Sequence, residues 1–173
     1  GPLAGYPRVI GIAWAFVAHT DSRFDADALV RFVRAYQRVQ PLTIGELGAV
    51  AITLRIVLVE NLRRAAERIA SGRAARQRAD ELVDRLIAAA DDDALADVLR
   101  ESDGVELGAT YAVQLLLRLR DHDAKLAPAL AWLDARLVAA GTSADSLVRS
   151  EHHRQGASNV TVRNAITSMR AVS

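Results

Sequence analysis

Apolar residues recur along this chain at spacings of three and four, and period-two alternation is missing, so the pattern predicts helices throughout. A first helix is expected from about Pro7 to His19, with Pro7 in its first turn. The polar stretch HTDSRFDADAL reads as a loop. Asp25 or Asp27 closes it as the cap of a second helix running to about Val39. Leu29, Phe32, Val33 and Tyr36 form that helix's buried stripe. Pro41 ends it, and Thr43-Ile44-Gly45-Glu46 is a capping-box pattern.

The next helix, Ile44 to about Ala70, is the expected centre of the fold. Leu47, Val50, Leu54, Leu58 and Leu62 make one apolar stripe, and Ile52, Ile56 and Val59 make another. A helix apolar on nearly every side is expected to be buried on most of them. Ser71-Gly72 reads as a break or kink. Further helices are expected from Arg73 to Ala90, Asp93 to Arg100, Ala109 to Arg120 and Ala124 to Ala140, with ESDGVELG as a loop. Gly141 ends the last of these, and Thr142 or Ser143 caps the next. That helix carries His152 and His153 and should stop near Gly156, where Ser158 or Asn159 caps a final helix from Val160. The fold class is therefore all-α: a single domain over residues 1–173, a bundle of about seven to nine helices around a long, mostly buried central helix.

Composition sharpens this picture mainly by exclusion. A chain of 173 residues, 51% apolar and 25% charged, is long enough for one globular core. The formal net charge of +1 supplies no global field for nucleic acid or an anionic membrane. Charge is unevenly spread, with seven Arg against two Glu from Arg55 to Arg78 and ten acids against two Arg from Asp80 to Glu106. Such blocks are expected to pair with each other or to share a solvated face. The absence of cysteine removes disulfides, thiolate chemistry and Cys-based zinc sites, and suits a reducing compartment. The longest charge-free apolar run, VIGIAWAFVA, has ten residues, too few for a membrane span. Gly1-Pro2 carries no expectation.

The candidate chemistry is sparse. His152 and His153 are adjacent, so on a helix their rings point about 100° apart and chelate one metal poorly. With His, Arg154 and Arg side chains near a helix end, the pair reads as complementing the last carbonyls. Asp91-Asp92-Asp93 and Asp121-His122-Asp123 contain Asp-x-Asp spacing, but between helices they read as caps and helix starts. Polar residues within the apolar central helix are more informative: Arg55, Glu60 and Asn61, with Glu46 at its start. Glu60 can pair with Arg63 or Arg64 along its own helix. Arg55 has no acid at i±3 or i±4, so it must meet one elsewhere in the fold or project into a groove. Trp132, His152, His153, Arg154, Asn159 and Asn164 complete the candidate polar and aromatic set. No catalytic residue, metal site or cofactor is assigned. LTIGELGAVAITLR lacks a following basic recognition helix, so no nucleic-acid partner is expected.

Two segments together carry a family resemblance. GYPRVIGIAWAFVAHTDSRFDADALVRFVRAYQRVQPLTIGELGAVAITLRIVLVENLRR, Gly5 to Arg64, resembles the N-terminal region of cyclic β-1,2-glucan synthases. LVRSEHHRQGASNVTVRNAITSMRAVS, Leu147 to Ser173, resembles a later stretch of the same region, while the middle is only loosely similar. The resemblance implies a segment of a large bacterial inner-membrane glucosyltransferase that builds β-1,2-linked glucose chains from UDP-glucose and cyclises them into periplasmic glucans. It implies the remainder of that synthase as partner, the growing glucan chain as a second one, and a place at the cytoplasmic face of the inner membrane. Relatives usually carry Trp where this chain has Gly48, and often Pro where it has Ala51. That exchange is expected to leave a void or a closer helix approach.

Three functions compete on this reading. The first is a non-catalytic accessory or scaffold module of the synthase. The second is an accessory site for glucan or UDP-glucose using Arg55, His152, Arg154 or Trp132. The third is a free-standing helical adaptor.

Overall fold

A computed structural model describes residues 5–122 and 124–171. Among them are seven α-helices, one short 3-10 turn and no strand: α1 (Arg8–His19), α2 (Ala26–Gln37), α3 (Ile44–Ala88), α4 (Asp92–Glu101), α5 (Ala109–Arg120), the turn Ala124–Leu126, α6 (Ala127–Ala139) and α7 (Ala144–Ala171). The all-α reading holds, with a long helix at the expected place. Gly1-Pro2 and Asp123 lie outside the described residues.

Local signals set most helix ends. Pro7 occupies the N-cap of α1. The Asp25 carboxylate accepts from the Ala28 amide to cap α2, and Asp91 does the same for α4 through Ala94. Ser143 caps α7, its hydroxyl accepting from Ser146 N at 3.3 Å. Thr43 and Glu46 form the capping box reciprocally: Glu46 N donates to Thr43 Oγ1 at 3.2 Å, and Thr43 N donates to Glu46 Oε2 at 2.8 Å. Gly141, with φ of +71°, takes the left-handed conformation after α6 that a side chain would strain.

Two expected breaks do not occur. α3 runs through Ser71-Gly72, and α7 runs through Gly156 and Ser158-Asn159 without interruption. One glycine costs only about 1 kcal/mol against Ala in a helix interior. Backbone bonds on both sides of it, with apolar packing, outweigh that cost.

The chain divides into two compact units, one holding residues up to Glu67 together with those from Gly156 onward, the other Arg68–Gln155. In the first, Ala13, Phe16 and Val17 of α1 meet Leu54, Val57 and Leu58 of α3, with Trp14, Leu29, Phe32 and Met169 packed against them. Phe16 and Phe32 make an edge-to-face pair at 5.7 Å. Ile12, Val33 and Leu42 form a second small cluster. In the other unit, one face of α3 (Ala79, Leu82, Val83, Leu86) packs with Leu95 and Leu99 of α4, Leu115, Leu116 and Leu119 of α5, and Leu133 and Leu137 of α6. Lys125 donates to Ile87 O at 2.9 Å and Ala89 O at 2.8 Å, a cation on the carbonyls that end α3.

The second apolar stripe of α3 departs from its expected burial. Leu54, Val57 and Leu58 are buried, but Ile52, Ile56 and Val59 are half exposed. Within the first unit, α1 packs on the side of α3 that carries Leu54, Val57 and Leu58. Gly48 likewise sits at the exposed surface, and a Cβ built on it meets nothing within 4 Å. There is neither a void nor a close helix approach at this position, so that expectation is corrected.

Candidate functional site

The expected polar residues fall into separate local clusters. In the first unit the chain after α1 turns through Asp21 and Ser22, both left-handed at φ of 47° and 65°. The turn is costly for non-glycine residues and is held by a polar knot. Ser22 is 1% exposed. Asn61 of α3 donates its side-chain amide to Ser22 Oγ at 2.5 Å. The Ser168 hydroxyl of α7 donates to Ser22 O at 2.6 Å and accepts from Phe24 N at 2.7 Å. Asn164 donates to Asp21 O at 3.2 Å. Two candidates, Asn61 and Asn164, thus meet at one loop and are spent fixing its backbone.

Glu46 and Glu60 are likewise engaged. Arg8 grips Glu46 with Nε at 3.0 Å and Nη2 at 2.8 Å. The Thr43 backbone bond, followed by the Thr43 hydroxyl and Arg8, holds the Glu46 carboxyl below its ordinary range despite some desolvation. Glu60 takes bonds from Arg63 and Arg64, which lower its pKa to about 2, Arg63 contributing most. Arg64 in turn lies over the Trp14 ring at 4.7 Å. Arg55 is exposed on α3.

In the second unit Glu151 of α7 is the principal buried charge, 3% exposed. Its carboxylate accepts from Thr110 Oγ1 at 3.0 Å, Arg154 Nε at 3.0 Å and Gln155 Nε2 at 2.9 Å. Arg154 also contacts the Thr110 hydroxyl. Burial alone would raise the Glu151 pKa. The bonds from Gln155, Arg154 and Thr110 outweigh it, and the net shift is downward. Trp132 donates its indole N–H to Asp103 Oδ1 at 2.7 Å, and Arg136 stacks 5.1 Å from its ring. Arg136 also donates to Ser102 O at 3.1 Å and Val105 O at 2.7 Å, which ties the loop between α4 and α5 down onto α6. One Trp132 face is therefore taken by a guanidinium.

His152, His153 and Asn159 are exposed along α7, within the helix and not at an end. The helix-end role expected for the histidines is thereby lost. Asp91 is a cap and Asp121 a helix C-cap. Among the described residues, no three His, Asp or Glu side chains stand together as a metal group. Among the described residues, the ion pairs of the two charge blocks are local or reach other helices. Arg63 and Arg64 use Glu60 and Glu67 of their own block, Arg85 uses Glu101, and Arg118 of α5 meets Asp80 at 3.3 Å and Asp84 at 3.1 Å.

Sequence reasoning passes over Ser22, Thr110, Glu151 and Ser168. Glu151 has a local signal: it continues the inward series Ala144, Leu147, Val148 at helical spacing, where an acid must find partners. The serines have none, being joined across more than a hundred residues.

No protein-family model matches the chain. Over 166 residues, 96% of its length, it is 36% identical to cyclic beta-(1,2)-glucan synthase NdvB of Rhizobium meliloti (strain 1021). The resemblance to that family is thereby shown, and it covers the middle of the chain as well as both ends. The chain spans only 6% of that relative's length.

Proposed function

We propose that this chain is a non-catalytic helical module of a cyclic β-1,2-glucan synthase. In this reading it packs on the membrane transferase part of the same protein, at the cytoplasmic face of the inner membrane, and helps hold the assembly together. The polymerisation and cyclisation of glucose from UDP-glucose then belong to other parts of the enzyme. One observation carries the reading. Glu46, Glu60, Asn61, Trp132, Arg154 and Asn164 are all engaged in internal bonds, some to loops and helix ends and others, at Glu60 and Arg154, to neighbours along their own helix. Groups committed in this way are positioned to hold a fold, and none is aimed at a shared point where a substrate atom would sit.

Deleting the corresponding segment from the full-length synthase tests this. The expected result is a synthase that assembles poorly, or makes cyclic glucans of altered size, while its isolated transferase part still turns over UDP-glucose. Unchanged assembly together with an unchanged glucan size distribution overturns the proposal. So does complete loss of UDP-glucose turnover in a properly assembled deletion variant, because that outcome assigns the segment to the chemistry.

A further inference from the structure

One end of the first unit leaves apolar side chains bare. Val39, on the turn after α2, is 89% exposed, and Ile44, the first residue of α3, is 90% exposed. Among the described residues no other large apolar side chain is as bare. The connection that carries them is anchored, because Leu42 between them packs with Ile12 and Val33. The Arg8–Glu46 bond brings the start of α1 to the same end, where Tyr6 is 62% exposed. Charge at this tip is one-sided. Arg34 lies in the last turn of α2 and Arg38 is its C-cap, with Arg31 a turn behind. At about 100° per residue the three share one face of the helix within about 60°, and all are exposed. Among the described residues none of the three enters an ion pair. Glu46, the acid of this end, is answered by Arg8. Asp27 lies one turn before Arg31 but about 16 Å along the helix from Arg38.

We propose that this tip docks on an anionic phospholipid surface, with Val39 and Ile44 entering the boundary between headgroups and acyl chains and Arg34 and Arg38 meeting lipid phosphates. A side chain with nine-tenths of its surface bare has almost no protein atom beside it. No pocket rim surrounds it, so a partner of fixed shape has little to seat against. A fluid bilayer closes around such a side chain whatever its surroundings. Bare aliphatic groups next to unpaired cations match its two layers, the acyl chains and the phosphates. The contact is from the surface, since no helix among the described residues is long and apolar enough to cross a membrane. The attraction is local, because the formal net charge is only +1. So small a tip gives weak, reversible binding. The contact requires only a bilayer, and the packing role proposed within the synthase survives if it fails.

Flotation of the whole 173-residue chain with vesicles tests this. Vesicles of phosphatidylglycerol and phosphatidylcholine in equal amounts should carry the chain at millimolar lipid, and phosphatidylcholine alone should not. Raising the salt to about 0.5 M should release it, because exposed charges are then strongly screened. Arg34→Gln and Arg38→Gln should each weaken binding about fivefold. Val39→Asp and Ile44→Asp should each weaken it about tenfold or more. Their far-UV circular dichroism should be unchanged, since both side chains are bare in the fold. The chain has no cysteine, so a polarity-sensitive thiol dye reports one chosen position. On Ile44→Cys its emission should shift to the blue with anionic vesicles. On Ile56→Cys, about 18 Å farther along α3, it should not. No flotation with anionic vesicles overturns the proposal and leaves the tip to a protein partner. Flotation that neither aspartate variant weakens also overturns it. So does a dye at position 56 that shifts as far as one at position 44, since that outcome lays the side of α3 on the bilayer.

Discussion

Glu151 shows what a single buried charge does here. Its carboxylate satisfies a threonine, an arginine and a glutamine at once, joining the first turn of α5 to α7. Glu151→Ala removes the common acceptor and leaves the buried Thr110 hydroxyl without it, so a loss of about 2 kcal/mol in urea unfolding at neutral pH is expected. The pH dependence has a definite sign. The folded pKa lies below the ordinary value of 4.5, so the charged form stabilises the fold above that value. That contribution disappears as pH falls through the lowered folded pKa. Glu151→Gln lacks it, so the stability gap between the two proteins should be widest above about pH 4.5 and should close in more acidic solution. A gap that stays constant across that range shows that Glu151 acts through packing and not through its charge. Trp132 gives the opposite lesson. From sequence it is one of the residues offered for an accessory glucan or UDP-glucose site, but Arg136 takes one face of its ring and Asp103 its N–H. Arg136 stands four residues on along the same helix, so its approach is implied by spacing, whereas Asp103, 29 residues away, cannot be inferred from the residues near Trp132.

Helix starts are legible in the sequence because their signals are local. Asp25, the Thr43–Glu46 box, Asp91 and Ser143 act within three residues of where they stand. Interruptions are not, because a glycine marks a tolerated weakness as readily as an end. Gly156 lies in the interior of α7, exposed, where an added Cβ meets nothing within 4 Å. Gly156→Ala should therefore stabilise the protein by about 1 kcal/mol. For a chain of this size that is a rise in Tm of about 2–4 °C. Gly156→Pro should cost about 3 kcal/mol or more, since it removes a helical bond and clashes with the preceding turn. If α7 were broken at this glycine, Ala would leave the Tm unchanged and Pro would be tolerated. The sides of α3 make a related point. Ile52, Ile56 and Val59 are apolar, and apolarity alone does not say which stripe has a neighbour to pack on. The answer lies in α1, which meets Leu54, Val57 and Leu58 instead.

For the molecule as a whole, fold class follows from periodicity and the family from whole segments of sequence, while the knots that pin the fold follow from neither. Ser22, Asn61 and Ser168 come from three distant stretches, and only the folded chain brings them together. Charge behaves the same way. Arg118 is the partner of Asp80 and Asp84, although the Arg-rich block lies far closer to them in sequence. Lys125 is the chain's single lysine, and it grips the last carbonyls of α3. A lysine-specific protease thus has one bond to cut, that between Lys125 and Leu126, and Leu126 is 2% exposed. The bond becomes available only when this turn lifts away from the core, so a single cleavage rate would time the local opening of the protein at the end of its longest helix.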